Sequence, residues 1–314
     1  MSLEQEIKDQ ALRLGFDAAG ITDASPIGRE HVAHFEKWLR CGYAGRMAYM
    51  HRHLDKRVHP ARLLEGAESV VVVALNYKPM DDNVRAAHMD EPTGRVAQYA
   101  QYQDYHEFMK AMLFRLAEFI RNRTGRDHRC KACVDSAPLA EKALAVRAGL
   151  GFIGRNHLLI HPTLGPQVLL GEVVTTARLQ PDEPAEGACT NCDRCVRACP
   201  TGALRPDGFL DATRCISYLT QYEAQDERAR AIGDWLFGCD ECLLACPHRQ
   251  AAPPMVNRRF SRSIGQTGID LRELLQMSPA EFASRFHDSP MSRTGLERLQ
   301  RNARLCLEKL NKET

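Results

Sequence analysis

Cys189-Thr-Asn-Cys192-Asp-Arg-Cys195-Val-Arg-Ala-Cys199-Pro200 decides how this chain folds. A second run, Cys239-Asp-Glu-Cys242-Leu-Leu-Ala-Cys246-Pro247, follows downstream, and Cys215 stands alone between the two. This is the spacing of a ferredoxin that carries two [4Fe–4S] clusters. Each tight run presents several thiolates from consecutive turns of backbone, close enough to hold corners of one cube. The last Cys of a run lies past the turn and reaches the neighbouring cluster. On that logic Cys189, Cys192, Cys195 and Cys246 hold one cluster. Cys199, Cys215, Cys239 and Cys242 hold the other; Cys215 is assigned by count, because the second run has no nearby first Cys of its own.

Zinc and disulfides are the other chemistries open to such cysteines. Zinc favours two CxxC pairs, and neither run is a plain pair. Disulfide frameworks belong to small secreted chains. The chain opens MSLEQEIKDQ, with no basic n-region and no apolar h-region. No secretory signal is therefore expected, and a reducing, cytoplasmic setting is. Cys41, Cys130, Cys133 and Cys306 lie outside the two runs. Cys130-x2-Cys133 has the spacing of a redox or metal pair, but a lone CxxC is a weak signal. Ordinary thiols are the expectation there.

A chain of 314 residues has room for one large domain and a smaller one. Its 44% hydrophobic and 26% charged residues are those of a globular protein. The longest purely apolar stretch, residues 70–75, is far too short to cross a bilayer. Net charge is only +2 but unevenly placed. Residues 249–314 hold twelve Lys and Arg against seven Asp and Glu. Such a segment suits either an anionic partner or a solvated helix face. Nothing signals an oligomer, and a monomer is expected.

Working outward from the cysteines, residues up to Leu14 predict a helix ending near Gly15, and residues 18–22 a short strand. The β-branched run at 69–75 predicts a buried strand. Residues 81–93, polar and bracketed by Pro79 and Pro92, read as an exposed loop. Phe108, Met112, Leu113, Leu116, Phe119 and Ile120 recur at helical spacing over 106–123. Another strand is expected at 168–176, a linker at 179–188, and helices at 271–277, 279–286 and 295–310. The fold class is then α+β. A mixed α/β domain covers 1–178, a ferredoxin-like double-cluster module 179–250, and a short basic helical segment 251–314. Clusters fused to a larger domain imply electron delivery to something that domain holds.

Residues 134–160 run Val-Asp135-Ser-Ala-Pro-Leu-Ala-Glu141-Lys142 and on through Gly149, Gly151, Gly154, Arg155, Asn156 and His157. The three glycines would let backbone approach a flat or bulky ligand closely. They make neither a phosphate loop, since the GK[ST] ending is missing, nor a dinucleotide fingerprint in its expected setting. Asp135, just before Pro138, reads either as a helix N-cap or as a functional carboxylate.

The segments VDSAPLAEKALAVRAGLGFIGRN, GEVVTT, RCISYLT and GCDECLLACP, in that order around the first cysteine run, resemble the epoxyqueuosine reductases. GFDAAGIT, RVHPARLLEGAESVVVVALNY, QDYH and RTGLERLQRNA extend the resemblance over nearly the whole chain. It implies reduction of the epoxide of epoxyqueuosine, at the wobble position of tRNA, to queuosine. It also implies a cobalamin beside the two [4Fe–4S] clusters, and a kinship with reductive dehalogenases. The 1–178 domain would then be the cobalamin-binding catalytic domain. Asp135 matches the family's proton donor, and burial beside a corrin would raise its pKa.

The cobalamin contacts implied are Arg57, Asp135, Gly154, Asn156 and His157, with Ser217, Tyr218, Gly238 and Asp240 from the cluster module. His157 is not expected to ligate cobalt. An external donor such as a flavodoxin or ferredoxin would supply electrons. The anticodon stem-loop would meet Arg258, Arg259, Arg262, Arg293, Arg298 and Arg301. The chain departs from the family pattern at Tyr99-Ala-Gln-Tyr-Gln103, where an aromatic and a glycine often precede DYH, and at Phe152, where a Trp is usual. A cobalamin-dependent reductive dehalogenase-like enzyme and a plain iron–sulfur electron-transfer protein are the alternatives.

Overall fold

Ser69–Asn76 reads SVVVVALN, and every one of its residues is buried. A strand covered on both faces carries no polar alternation, which is why an unbroken β-branched run suits it. The computed structural model describes residues 1–80, 92–222, 227–264 and 268–313. Most of the loop expected at 81–93 lies outside these; its last residue, Thr93, opens a strand.

Among the described residues the strands are β1 (Ala18–Asp23), β2 (Ser69–Asn76), β3 (Thr93–Val96), β4 (Cys130–Cys133), β5 (Phe152–Ile153), β6 (Leu159–Ile160), β7 (Val168–Thr175), β8 (Trp235–Phe237) and β9 (Gly268–Asp270). The α-helices are α1 (Leu3–Leu14), α2 (Arg29–Arg40), α3 (Leu54–Val58), α4 (Tyr105–Thr124), α5 (Glu141–Arg147), α6 (Arg194–Ala198), α7 (Ile216–Gln221), α8 (Glu241–Leu244), α9 (Pro247–Ala251), α10 (Leu271–Gln276), α11 (Pro279–Phe286) and α12 (Leu296–Glu313). Two compact units form from interleaved segments. One comprises Met1–Lys78, His106–Cys192 and Cys246–Asn257; the other comprises Pro79–Tyr105, Asp193–Ala245 and Arg258–Thr314.

The first unit is built on an antiparallel sheet of order β1-β2-β7-β4. Helix α1 starts where the Ser2 side chain accepts the Gln5 N–H and ends at Gly15, whose φ of 112° closes the last turn. Helix α4 buries Met109, Met112, Leu113, Leu116 and Ile120, a stripe at helical spacing. Val70, Val72, Val174 and Cys133 pack with Leu144 and Ala145 of α5 and with Ala148 at its C-cap. The register sets Cys133 directly opposite Glu172, a fully buried carboxylate in the middle of β7.

The second unit holds a sheet of order β8-β3-β9, with β3 parallel to β8 and antiparallel to β9. Its core takes in Leu299, Ala303 and Cys306, one face of α12, all at 0% exposure. Asn302 lies on that face too, and its Nδ2 donates to the carbonyls of Thr220 and Leu236 at 2.9 Å each. Residues beyond the cysteine module therefore contribute a strand and a long helix to this unit. No helix among the described residues is long and apolar enough to cross a membrane.

Candidate active site

Asp135 follows the end of β4 in an unusual turn. Its φ is 49°, in the left-handed region, and the Ser136 N–H donates back to the Val134 carbonyl with Asp135 at the apex. A non-glycine residue in that region is held there against a cost, and such residues concentrate at functional sites. The N-cap reading of Asp135 falls away: α5 begins six residues later, and Ala140 stands at its N-cap. The Asp135 side chain is 60% exposed, so the chain itself does not bury it. His106 of α4, at 8% side-chain exposure, sets its Nε2 3.2 Å from Asp135 Oδ2.

Three consecutive residues at the start of α5 tie the neighbouring candidates together. The Ala140 N–H donates to the Arg57 carbonyl at 3.1 Å. Glu141 Oε1 accepts the Asp135 N–H at 2.7 Å. Lys142 Nζ donates to the His157 carbonyl at 2.7 Å. Arg57, Asp135 and His157 are thus fixed to one short helix, although they are far apart in sequence.

The electrostatics of this group are dominated by burial. Burial first, and then the Asp135 charge, push Glu141 up to about 7. Glu172 is raised well above the ordinary carboxylate range by burial, with Glu141 and Asp135 adding to it. Both of its carboxylate oxygens are buried without a hydrogen-bond partner among the described residues. Burial and the facing Glu172 push the Cys133 thiol up to about 12, which makes it a poor nucleophile. Burial lowers the Lys142 ammonium, with Glu141 and Asp135 acting against it. Arg57 is lowered by burial, against the opposing charges of Tyr49, Glu141 and Asp135.

Gly154, Asn156 and His157 lie in the β5–β6 hairpin, where Gly154 N–H donates to the Leu158 carbonyl and Asn156 Oδ1 accepts the Leu158 N–H. His157 has a φ of 59°. The glycines at 149 and 151 do not open the backbone to a ligand. A Cβ at Gly151 would sit 2.2 Å from the Ile160 carbonyl oxygen, and one at Gly149 2.9 Å from that of Glu183. The chain's own backbone fills that space. At Gly154 a Cβ would meet Asn156 Oδ1 at 2.8 Å.

In the second unit, Asp240 is buried and its Oδ2 accepts the Gln98 N–H at 2.6 Å. Gly238 has a φ of 67°, and its N–H donates to Thr220 Oγ1. Tyr218 stacks on Tyr222 with ring centroids 4.7 Å apart, and the Ser217 carbonyl accepts from Thr220 Oγ1 and Gln221 Nε2. Each of these four has a structural task of its own.

The thiols of Cys199, Cys215, Cys239 and Cys242 all belong to the second unit. Burial pushes Cys242 and Cys239 up, and the neighbouring thiols add to it: Cys239, Cys215 and Cys199 act on Cys242, and Cys215 acts on Cys239. Cys242 thus lies within electrostatic reach of Cys239, Cys215 and Cys199, and four thiols in one unit are the donor chemistry that an iron–sulfur cluster takes. In the first unit, Cys246 is raised by burial and by Cys189 and Cys192. Cys195 belongs instead to the second unit, buried on α6. Cys130 and Cys133, an odd number of residues apart on β4, face opposite sides of the strand and neither chelate nor bridge.

For a cobalamin, the chemistry of the first unit is suitable. Arg57 Nε is buried without a partner among the described residues, and an anionic phosphate or an amide edge would satisfy it. Lys142, whose Nζ donates to the His157 carbonyl, offers a second cation. Sequence reasoning gave no role to His106, Glu141, Lys142 or Glu172. Each was in view inside a quoted motif, but only their three-dimensional proximity to Asp135 singles them out.

A mixed α+β fold with a double-cluster cysteine module defines an iron–sulfur oxidoreductase. Residues 188–249 match the 4Fe-4S double cluster binding domain, and residues 57–136, which include Arg57 and Asp135, match epoxyqueuosine reductase QueG, DUF1730. The epoxyqueuosine reductase of Pseudomonas aeruginosa is 39% identical over 305 residues, covering 96% of this chain and 83% of that protein. The chain belongs to the epoxyqueuosine reductase family. A crystal structure of epoxyqueuosine reductase with an epoxyqueuosine-modified tRNA-Tyr stem loop superposes with a TM-score of 0.90 at 32% identity, covering 98% of this chain and 81% of that one. The enzyme from Streptococcus thermophilus gives 0.87 at 30% identity over 99% of this chain and 82% of its own.

Proposed function

We propose that this chain reduces epoxyqueuosine to queuosine in tRNA. The observation that carries it is the likeness, at a TM-score of 0.90, to a reductase crystallised with the modified stem loop. Asp135 in its strained turn beside His106 supplies a group suited to the chemistry. Removing an epoxide oxygen as water consumes two electrons and two protons and leaves a carbon–carbon double bond. When bound, the two clusters supply one-electron transfer and cobalamin a strongly reducing centre for the epoxide carbon.

The residues of the chain do the rest. Asp135 donates a proton to the oxygen as the C–O bond breaks. His106 fixes the direction in which that carboxyl points. Glu141 holds the turn through the Asp135 amide. Arg57 and Lys142 would meet phosphate or amide edges of the cofactor, with Gly154, Asn156 and His157 of the hairpin beside them. Ser217, Tyr218, Gly238 and Asp240 are the second unit's candidates for the same cofactor. Cys189, Cys192, Cys195 and Cys246 would hold one cluster, and Cys199, Cys215, Cys239 and Cys242 the other.

The functional division at 1–178, 179–250 and 251–314 goes with this proposal, the last segment meeting the anticodon stem-loop. A flavodoxin or ferredoxin as donor, a cytoplasmic site and a monomeric state complete it. The test is anaerobic turnover of epoxyqueuosine-containing tRNA by the reconstituted protein, with nucleosides read by mass spectrometry. Loss of one oxygen, abolished in Asp135→Ala with cofactors still bound, is the expected result. No conversion by the fully loaded wild type overturns the assignment.

A further inference from the structure

Cys239-Asp240-Glu241-Cys242 sets two acids between two of the cysteines assigned above to one cluster. A cluster held by four thiolates is anionic, and reducing it adds to that charge, so the net charge around it helps to set its potential. The fold answers both acids from strand β3 and the turn after it. Asp240 is buried, and its Oδ2 accepts the Gln98 N–H. Glu241 opens α8, and its Oε1 accepts from Arg95 Nη1 at 2.8 Å and from Trp235 Nε1 at 3.2 Å. Arg95 pairs with Trp235 in the register of β3 and β8, and its guanidinium carbon stands 3.8 Å from the centroid of the indole. Asp234 Oδ1 is 3.6 Å from the same Nη1. Every one of these residues belongs to the second unit, as do Cys199, Cys215, Cys239 and Cys242.

The Arg95–Glu241 pair differs from an ordinary surface ion pair in two ways. A planar guanidinium laid on the face of a buried indole keeps one orientation, and the indole N–H shares its acceptor oxygen. The two side chains are 30% and 27% exposed, so water screens their charges less than it would on an open surface. Glu241 also reaches the cysteines directly. Its N–H hydrogen-bonds the Cys239 sulfur, and its carboxylate charge acts on that same thiol. One acid of the loop is thus met by a neutral amide dipole and the other by a full cation.

We propose that Arg95 sets the reduction potential of the cluster held by Cys239 and Cys242, by neutralising Glu241 inside the cysteine loop. The inference rests on the cluster assignment proposed above and deepens it. A cation beside the loop favours the added electron, and a carboxylate there opposes it. With the pair closed the two nearly cancel. With Arg95 gone, Glu241 and Asp234 both stand uncompensated, and the cluster becomes harder to reduce. Trp235 keeps guanidinium and carboxylate together. Arg95 acts through Glu241 and touches no substrate, so it is a positioning residue and not a catalytic one.

The test is an anaerobic redox titration of the reconstituted full chain, with dithionite as the electron source and the paramagnetic signals of the reduced clusters as the readout. Arg95→Gln should lower the midpoint of one cluster. At the wild-type midpoint its reduced-to-oxidised ratio should fall about tenfold, which is about 59 mV for a one-electron couple. The other cluster should keep its midpoint, and iron should stay at about eight atoms per chain. Arg95→Lys, which keeps the charge, should lie nearer wild type. Glu241→Gln should move the same midpoint upward, and the double variant should fall between the two single ones. An Arg95→Gln protein with full iron and an unmoved midpoint overturns the proposal, as does an equal shift of both clusters. Should Arg95→Gln fail to hold iron, Glu241→Gln decides, and a midpoint unmoved or lowered there overturns it. Wild type without any cluster signal overturns the cluster assignment and this inference with it, whereas wild type with both signals keeps the clusters whichever way the variants fall.

Discussion

His106 Nε2 stands 3.2 Å from Asp135 Oδ2, and the two side chains differ sharply in exposure, 8% for the histidine and 60% for the aspartate. A carboxyl on a surface turn has rotamers to spare. One contact from a ring locked in the core removes most of them. His106 therefore sets where the proton is offered, without being the donor.

The prediction is specific to orientation. His106→Ala should lower kcat by about tenfold to a hundredfold while leaving KM for the modified tRNA close to wild type. Iron and corrin content should be unchanged. Steady-state kinetics on the reconstituted enzyme check this, and a loss confined to KM would contradict it.

The buried carboxyls also make folding stability depend on pH. Glu141 and Glu172 both have folded-state values raised above the ordinary 4.5. The stability that their neutral forms contribute is fully present below 4.5 and is lost as pH rises through the folded values, which for Glu141 is about 7. Wild type should therefore lose thermal stability between about pH 5 and pH 8. Glu172→Gln, which carries no charge at any pH, should lose less over the same range and melt higher than wild type at the alkaline end. Thermal melts at stepped pH measure it.

Much of the frame was legible in one dimension because burial leaves a period. The all-buried β2, the stripe of α4 and the cap-to-glycine span of α1 each follow from local rules. Strand β4 did not, since Cys-Lys-Ala-Cys is too short and too polar to show a pattern; it exists because β7 offers it an edge. Gly149 and Gly151 misled for a related reason: the atoms that forbid a Cβ belong to Glu183 and Ile160, and no local signal points to them. The same holds for the site. Asp135 was visible as a motif residue, but the ties from Ala140, Glu141 and Lys142 to Arg57, Asp135 and His157 depend on how α5 is set down.

Cluster chemistry gives a sharp accounting test. The thiols of Cys239, Cys215 and Cys199 all act on Cys242, and Cys215 enters that group from a lone position in the sequence. Cys215→Ser should lower reconstituted iron from about eight to about four atoms per chain, the same loss as Cys242→Ser. Cys41→Ser, at an exposed cysteine outside both runs, should leave iron at the wild-type level. Iron and sulfide assays decide it. Full iron in Cys215→Ser would return that residue to the ordinary thiols.

The C-terminal arginines separate into two kinds. Arg301 donates to the carbonyls of Leu219 and Tyr222, so it closes the end of α7 rather than waiting for RNA. Arg298 is half-buried, and its Nη1 donates to the Thr294 carbonyl. Arg258, Arg259, Arg262 and Arg293 are exposed. If these last contact phosphates, each Ala substitution should weaken stem-loop binding and reduce the slope of log affinity against log salt by about one. Arg301→Ala should leave two carbonyls without their donor and lower the melting temperature, at about 1–3 kcal/mol per unsatisfied group. Its salt slope should stay as in wild type. Titrations at three salt concentrations, with melts run alongside, tell the two kinds apart, and an Arg301 variant with normal stability but a reduced slope would move it into the RNA-binding set.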